Sequence, residues 1–141
     1  MRRYILALAA PLLVAGAQPP TVLKVEVEKL RNGRGLVHAC LTRDPAHFPD
    51  CRGDPTAFKQ TISAKASELR FTGYTPGFYA LTLFHDENAN DRLDTLLGVP
   101  REGFGFSRNP VIRISAPSFD KVRIDLEPGV TTTPVRMQYI L

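Results

Sequence analysis

Short segments in which apolar and polar side chains alternate are the feature that most constrains the fold of this chain. Between residues 21 and 30 the alternation is regular, as in Val25, Glu26, Val27 and Glu28. Similar but less regular runs follow at 35–42, 57–66, 68–71, 78–84, 111–114, 119–126 and 131–141. A period of two places one side of a strand against a core and leaves the other side in solvent. About seven short strands, with turn residues between them and no sustained helical period, predict a single all-β domain, an antiparallel β-sandwich.

Two details of the pattern predict how strands pair and pack. Asn32-Gly33 is a strong hairpin turn signal, so segments 21–30 and 35–42 are expected to form an antiparallel hairpin. The run 78–84 carries apolar residues on both of its sides, which indicates a central strand covered on each face. The run 57–66 fits a strand or a short helix, and we favour a strand. Residues 43–56 are rich in Pro, Asp and Gly and predict a long loop.

The first 17 residues have the pattern of a secretory signal peptide. Arg2 and Arg3 form a basic start, residues 4–14 are largely apolar, and Ala15-Gly16-Ala17 is a small-x-small cleavage site. The apolar run is shorter than the roughly 20 residues that span a bilayer, which argues against the alternative of a retained membrane anchor. We therefore predict a signal peptide at 1–17 and a β-sandwich domain at 18–141. The mature chain is expected to be periplasmic or secreted, without a membrane span.

The charge of the mature chain argues against a nucleic-acid partner. The formal charge of the whole sequence is +4, but without Arg2 and Arg3 only 16 basic residues face 14 acidic ones. These basic residues are scattered among acidic ones, whereas a nucleic-acid surface needs a basic stripe with stacking aromatic rings. We expect no nucleic-acid binding.

Two cysteines, Cys40 and Cys51, both lie in the part expected to be exported. In an oxidising compartment such a pair predicts a disulfide, which would close the loop 41–50 and stabilise the fold by about 2–3 kcal/mol. A zinc site formed with His38 and His47 is an alternative with suitable ligand types, but the spacing matches no C-x-x-C or H-x-x-x-H pattern. Two free thiols are the remaining possibility.

The segment after the predicted central strand carries oxygen-bearing side chains at every second position. With Asp86 as position one, Asn88 and Asn90 occupy positions three and five, the carbonyl of Arg92 position seven, and Asp94 position nine. These are oxygen positions of an EF-hand-type calcium loop. The spacing predicts a structural rather than catalytic site for Ca²⁺.

Two positions of this loop differ from the calcium pattern. Asp91 stands at position six, where a glycine allows a sharp turn, and Leu97 stands at position twelve, where a glutamate normally binds through both oxygens. Water or Glu102 would have to complete the shell. We therefore expect weak binding, with a dissociation constant of about 10⁻⁴–10⁻³ M. The alternative is that the Asp and Asn side chains only form Asx turns with their own backbone.

The residues that follow contain two glycines, Gly103 and Gly105, which alternate with Phe104 and Phe106. One interpretation is a glycine-hinged loop that presents aromatic rings as a binding lip for a sugar, a peptide or a partner protein. The other is that both rings fill the end of the sandwich and that the glycines permit the turns. The residues assigned to the possible lip are His85, Glu102, Phe104, Phe106 and Ser107.

The phrase from Gly77 to Ser107 is long and unusual, and it resembles an exported bacterial family catalogued as domain of unknown function 2141. It reads GFYAL, then HDENAN, LD and GVPREGFGFS. The resemblance implies a small periplasmic or secreted β-sandwich of immunoglobulin-like or transthyretin-like type, in a family without an established activity. Members usually carry a glycine in the acidic loop, where this chain has Ala89 and Asp91. The loop is also similar, more weakly, to calcium loops in B-type stalk repeats of bacterial adhesins.

Three functions remain as hypotheses. The first is an exported, non-catalytic accessory or binding module for a protein, peptide or saccharide, stabilised by the disulfide and by Ca²⁺. The second is a periplasmic hydrolase with His85 as base, an acidic neighbour such as Asp86, Asp94 or Glu102, and Ser107 as nucleophile. The third is a small-ligand carrier with Phe104 and Phe106 at its mouth.

Overall fold

The computed structural model of the protein describes residues 11–141. The basic start and residues 4–10 of the apolar run in the predicted signal peptide lie outside the described residues. Residues 11–20 form neither helix nor strand and are exposed. No helix within 11–141 is long and apolar enough to cross a membrane.

Strands form nearly all of the regular structure. In chain order the elements are β1 (Thr21–Glu28), β2 (Leu36–Thr42), a 3₁₀ helix (Pro45–His47), β3 (Phe58–Ser63), β4 (Glu68–Thr72), β5 (Gly77–Asp86), β6 (Thr95–Leu96), β7 (Val99–Pro100), β8 (Gly103–Phe106), α1 (Phe119–Val122), β9 (Ile124–Leu126) and β10 (Gly129–Arg136). The predicted all-β class is confirmed.

The strands form two principal sheets and a small ribbon. The small sheet has the order β10-β1-β4, in which β1 runs parallel to β10 and antiparallel to β4. The large sheet has the order β3-β2-β5-β8, and β9 pairs with the beginning of β5. Strands β6 and β7 form a separate two-stranded ribbon after the acidic loop. All pairs in the large sheet are antiparallel.

The main core contains the alternating apolar side chains of β1, β2 and β5, as the period-two pattern predicts. Leu23 and Val25 of β1 and Leu41 of β2 have no exposed surface. Leu81 and Leu83 of β5 belong to the same cluster. Burial of each such side chain contributes about 1.5–3 kcal/mol, so this cluster is the main source of stability.

A second, smaller apolar cluster forms around Ala80, on the other side of β5. It comprises Ala80, Phe104, Phe106 and Val122, with Phe48, Ile112 and Phe119 packed against it. Helix α1 and the loop around Phe48 therefore cover part of the outer face of the large sheet. This second cluster explains why β5 is apolar on both sides, and it confirms the prediction of a strand covered on each face.

The predicted hairpin of the first two strands is wrong. Strand β1 pairs with β10 and β4, whereas β2 pairs with β3 and β5. The Asn32-Gly33 segment therefore carries the chain from one sheet to the other. An alternating pattern specifies the buried face of a strand, but it does not specify the neighbouring strand. Here β4 and β10, which are distant from β1 in sequence, are the strands that pair with it.

Other boundaries also differ from the prediction. Residues 111–114, although apolar in part, form an irregular segment within the described chain. The predicted strand 119–126 divides into α1 and β9. Val122, at the end of α1, packs in the smaller apolar cluster. The predicted strand 131–141 is β10, which begins at Gly129 and ends at Arg136. The segment at Gly103–Phe106 is a strand, not the predicted loop.

The predicted disulfide between Cys40 and Cys51 is present, with a Cα–Cα separation of 6.5 Å. It ties β2 to the loop that carries the 3₁₀ helix. Asp44 caps this helix through a hydrogen bond from the amide of Ala46. Because both sulfur atoms are bonded to each other, the alternative zinc site with His38 and His47 is wrong.

Candidate functional site

The acidic loop leaves the end of β5 at Asp86, whose side chain is completely buried. Its Oδ1 accepts a hydrogen bond from the amide of Asn90 at 3.0 Å, and its Oδ2 accepts one from the amide of Asp91 at 2.8 Å. His38 Nε2 lies 2.9 Å from the same Oδ2. Burial by itself raises the pKa of Asp86, but these three contacts outweigh it and hold the pKa below its usual value.

The amide side chains of the loop converge on Asp94. Asn88 Nδ2 donates to Asp94 Oδ2 at 2.6 Å, and Asn90 Nδ2 donates to both carboxylate oxygens at 3.0 and 3.1 Å. The amide oxygens accept backbone N–H groups two residues onward, from Asn90 to Asn88 Oδ1 and from Arg92 to Asn90 Oδ1. The Asx turns expected from the sequence are therefore present.

Glu102 holds the two ends of the acidic loop together. Its carboxylate accepts the amide of Glu87 at 2.9 Å and the amide of Asp94 at 3.0 Å. Only 5% of the residue is exposed. Because its two oxygens bind opposite ends of the loop, Glu102 fixes the distance between the amides of Glu87 and Asp94. Glu102 was predicted to lie near the loop, and the structure places it at its base.

The backbone of the loop adopts the turn that the calcium pattern requires at position six. Asp91 has φ +62° and Ala89 has φ +56°. Aspartate tolerates this left-handed conformation better than most residues, which explains how Asp91 replaces a glycine. The hard oxygens of Asp86, Asn88, Asn90 and Asp94 fit Ca²⁺ in type. Their present orientation differs, because the two amide groups direct nitrogen rather than oxygen toward Asp94.

A cluster of arginines surrounds Glu87, immediately after Asp86. Glu87 Oε1 lies 2.6 Å from Arg31 Nη2, and Oε2 lies 3.1 Å from Arg34 Nη2 and 2.9 Å from Asn32 Nδ2. Burial alone raises the pKa of Glu87, but hydrogen bonds from Asn32, Arg31 and Arg34 reverse this effect and lower the pKa to about 2. Glu87 thus attaches the acidic loop to the segment that crosses between the sheets.

A groove of about 940 Å³ lies on the outer face of the large sheet. Its floor includes Thr82 and Phe84 of β5, and one wall includes Lys59 and Thr61 of β3. The disulfide-closed loop reaches it at Pro49, Asp50 and Arg52, and the acidic loop reaches it at Asp91, Arg92 and Leu93. Apolar residues of the irregular segment, Ile112 and Ile114, line it as well. The hydroxyl oxygen of Thr82 is buried without a hydrogen-bond partner among the described residues.

His38 joins the groove to the acidic loop. Its ring stacks on Phe84 with the ring centroids 4.6 Å apart, and its Nδ1 lies 3.0 Å from Thr61 Oγ1. Thr61 and Phe84 are the cross-strand neighbours of His38 on either side. The ring is therefore fixed between two strands, with Nε2 directed at Asp86.

His85 and Ser107 have separate structural partners. His85 is buried, with Nδ1 2.9 Å from the Tyr139 hydroxyl and Nε2 2.7 Å from the Arg34 carbonyl oxygen. Ser107 Oγ donates to the Val122 carbonyl and accepts the amide of Leu81. Leu81 and His85 are four residues apart on β5, which corresponds to about 13 Å. The structure thus does not bring these two residues together as a nucleophile and base.

Phe104 and Phe106 are buried side chains of strand β8. Phe106 packs on Phe48 with the ring centroids 5.8 Å apart, and Phe104 and Phe106 border the groove. The intervening glycines allow close packing rather than hinge motion. A Cβ on Gly103 would overlap the Tyr139 ring, and one on Gly105 would lie 2.7 Å from Val135 Cγ1. Both rings are buried rather than presented to solvent, and they line the inside of the groove.

Comparison with known proteins identifies the family of the chain. A family described as uncharacterized protein conserved in bacteria (DUF2141) matches residues 25–134. This chain belongs to DUF2141. The match covers most of both principal sheets, the whole acidic loop and most of the groove, so these features lie largely within the part of the chain that the family describes. No curated protein and no solved structure gave a significant match.

The site of this DUF2141 chain includes residues that the sequence did not single out. Glu87 stands inside the acidic run, but only its contacts with Arg31 and Arg34 show that it anchors the loop. His38 entered only the zinc alternative, whereas the structure places it between Asp86 and Thr61. The sequence shows only that His38 is a polar residue on the outward face of an alternating strand. That position does not distinguish a functional residue from any other polar residue.

Proposed function

We propose that this protein is an exported, non-catalytic binding module that holds a short extended peptide segment in the groove on the outer face of its large sheet. The observation that carries this proposal is the groove itself. It is concave, its volume of about 940 Å³ is near the upper end for ligand sites, and two anchored loops border it. A disulfide fixes one loop, and Glu87 and Glu102 fix the other.

The chemistry of the groove favours a peptide. Apolar side chains such as Phe84, Ile112 and Ile114 supply contact area, and charged residues of both signs stand beside them. These charges belong to Lys59, Arg52, Arg92, Asp50 and Asp91. A peptide offers apolar side chains, charges and regularly spaced backbone polar groups together, so it matches such a mixed surface.

Export is supported by two features of the chain. The N-terminal sequence has the order of a signal peptide, and the described domain contains a disulfide, a bond typical of oxidising compartments. Cleavage after Ala17 would give a mature chain that begins at Gln18. N-terminal sequencing of the exported protein tests this, and a chain that retains Met1 at the membrane would contradict it.

NMR titration of the ¹⁵N-labelled mature protein tests the groove. The probes are a pooled library of random hexapeptides and, separately, maltotriose, cellotriose and chitotriose. We expect saturable shifts of the Thr61, Thr82 and Arg92 amides with peptides, while the Thr132 amide on the opposite sheet remains unchanged. Shifts with saccharides alone would refute the peptide assignment, and the absence of saturable shifts in the groove with every probe would refute the binding function.

A pair of variants separates the groove from nonspecific binding. Phe84→Ala removes an aromatic side chain from the floor of the groove, and we expect about 10-fold weaker peptide binding from the lost contact. Val130→Ala is the matched control, because Val130 is 70% exposed on the small sheet. Equal affinities of the two variants would contradict the location of the site.

We further propose that Ca²⁺ stabilises the acidic loop through Asp86, Asn88, Asn90, Arg92 and Asp94. Binding requires rotation of the Asn88 and Asn90 amides, so that their oxygens rather than nitrogens lie opposite Asp94. This rotation and the small number of charged ligands are consistent with millimolar affinity.

Thermal unfolding measures the predicted effect of Ca²⁺. Millimolar Ca²⁺ should raise the Tm of the wild type and of Asp91→Asn, since Asp91 supplies no oxygen in this pattern. It should leave the Tm of Asp94→Asn unchanged. An unchanged wild-type Tm at 10 mM Ca²⁺ would exclude the calcium site.

A further inference from the structure

One nitrogen and two carboxylate oxygens converge where the groove meets the acidic loop. His38 Nε2 lies 2.9 Å from Asp86 Oδ2 and 3.5 Å from Asp91 Oδ1, and the three potential ligand atoms all lie within 4.8 Å of one another. We propose that His38, Asp86 and Asp91 bind a divalent transition-metal ion of the Zn²⁺ class. This ligand set shares only Asp86 with the calcium pattern, which otherwise uses Asn88, Asn90, Arg92 and Asp94.

The separations between the ligand atoms suit such an ion. Metal–ligand distances of about 2.0–2.1 Å place neighbouring ligands about 2.9 Å apart at a right angle and about 3.3 Å apart at the tetrahedral angle. The separations from His38 Nε2 to Asp86 and to Asp91, 2.9 and 3.5 Å, fall close to these values, and the two carboxylate oxygens lie within 4.8 Å of each other. An ion can therefore enter when the exposed Asp91 side chain moves toward Asp86 and His38.

The identity of the ligands determines the class of metal. An imidazole nitrogen suits Zn²⁺, Cu²⁺, Ni²⁺ and Fe²⁺, whereas Ca²⁺ and Mg²⁺ take oxygen ligands. A site with one imidazole and two carboxylates therefore disfavours Ca²⁺, the ion proposed for the oxygen ligands of the acidic loop. Asp86 is the only residue common to both sets.

His38 is oriented as a metal-binding histidine is. In such sites the nitrogen that does not face the metal donates its proton to a second group, which fixes the ring and directs the other lone pair. Thr61 Oγ1, 3.0 Å from His38 Nδ1, is placed to accept that proton. The stack on Phe84 restricts rotation of the ring. The orientation is therefore set before any ion arrives.

The two carboxylates have complementary roles. Asp86 is buried and held by the amides of Asn90 and Asp91, so its oxygen is fixed in position. Asp91 has its side chain 80% exposed, and its left-handed backbone at φ +62° carries the carboxylate toward His38. One ligand is rigid, and the other is free to close over an ion.

Three protein ligands leave at least one coordination position open, and the groove lies beside it. Both His38 and Asp91 line the groove. Sites with three protein ligands keep an exchangeable position for water or for an oxygen of another molecule. The binding of the ion itself does not depend on any occupant of the groove, so this proposal and the peptide proposal can fail separately.

Isothermal titration of the untagged, disulfide-bonded protein with Zn²⁺ tests the proposal, and the visible spectrum of bound Co²⁺ reports the geometry. We expect one saturable site. Asp91→Asn and His38→Gln should weaken it about 10-fold or more, and Thr61→Val should weaken it by a similar or smaller factor. Asp91 is exposed, so its variant remains informative even if His38→Gln fails to fold.

Two controls locate the ion. Asp94→Asn makes the same charge change in the same loop but should leave Zn²⁺ affinity unchanged. His47→Gln removes a second histidine that lies 2.8 Å from Asp44, and it too should have no effect. Absence of saturable Zn²⁺ binding, equal affinity in the wild type and Asp91→Asn, or loss of binding in His47→Gln would each overturn the assignment.

Discussion

Replacing Glu87 by glutamine should produce a loss of stability that depends on pH. Glu87 accepts hydrogen bonds from Asn32, Arg31 and Arg34, and only 9% of its side chain is exposed. These contacts favour the ionised carboxylate in the folded state. Glutamine preserves the shape of the side chain but removes the charge that the two arginines share.

The magnitude follows from the pKa of Glu87, which falls from 4.5 to about 2 on folding. At 1.36 kcal/mol per pKa unit this corresponds to about 3 kcal/mol of differential stabilisation. Arg34 is 74% exposed, so solvent screens part of its interaction. We therefore expect Glu87→Gln to lower the free energy of unfolding by about 2 kcal/mol at pH 7.

The sign of the pH dependence follows from the lowered pKa. The stabilisation is fully present above the unfolded-state pKa of Glu87 and is lost as the pH falls through the folded-state value of about 2. The difference between wild type and Glu87→Gln should therefore shrink steadily between about pH 5 and pH 2.

Urea unfolding followed by far-UV circular dichroism at pH 7, 4 and 2.5 measures this difference. Asp120→Asn is the matched control, because it removes the exposed pair with Arg123, 3.6 Å apart, and should change stability by less than about 0.5 kcal/mol. A difference between wild type and Glu87→Gln that stays constant from pH 7 to pH 2.5 would refute the linkage between the arginines and the carboxylate.

Two further predictions concern packing and the disulfide. Gly105→Ala should lower the free energy of unfolding by about 1–3 kcal/mol because the new methyl group meets Val135 and the Arg136 carbonyl. Gly33→Ala is the control, because its Cβ would lie 3.4 Å from the flexible Lys65 side chain and 3.9 Å from the Ala64 carbonyl oxygen; equal urea midpoints would contradict the packing. The double variant Cys40→Ala/Cys51→Ala should lose about 2–3 kcal/mol relative to the oxidised wild type, and reduction should abolish that difference. A difference that persists under reducing conditions would show that the substituted side chains, not the bond, are responsible.

Sequence predicted the features that depend on neighbouring residues. The alternation of Val25, Glu26 and Val27 identifies β1 because the side-chain period of a strand is local. The apolar residues on both sides of β5 indicate a second layer, which the cluster around Ala80 provides. The Asn and Asp spacing after β5 predicts turns, and the Asx hydrogen bonds of Asn88 and Asn90 are present.

Features that depend on distant residues were missed. Asn32-Gly33 predicts a hairpin, but the burial of β1 between β10 and β4 determines its pairing instead. Gly103 and Gly105 suggest a flexible loop, yet the segment pairs with β5 as a strand, and Tyr139 and Val135 occupy the space that a side chain would need there. His38 looks like any polar residue of an alternating strand until β5 places Asp86 beside it.

The pairing of β1 with β10 restricts the order in which the protein can fold. Thr21 lies opposite Gly129, and every later pair in this parallel register keeps the same separation of 108 residues. A newly synthesised chain therefore cannot complete its small sheet until β10 has emerged. Closure of so long a segment is entropically costly and slows the search for the native pairing. During that interval the β1 residues Leu23 and Val25 lack one of the two strands that flank them in the folded protein.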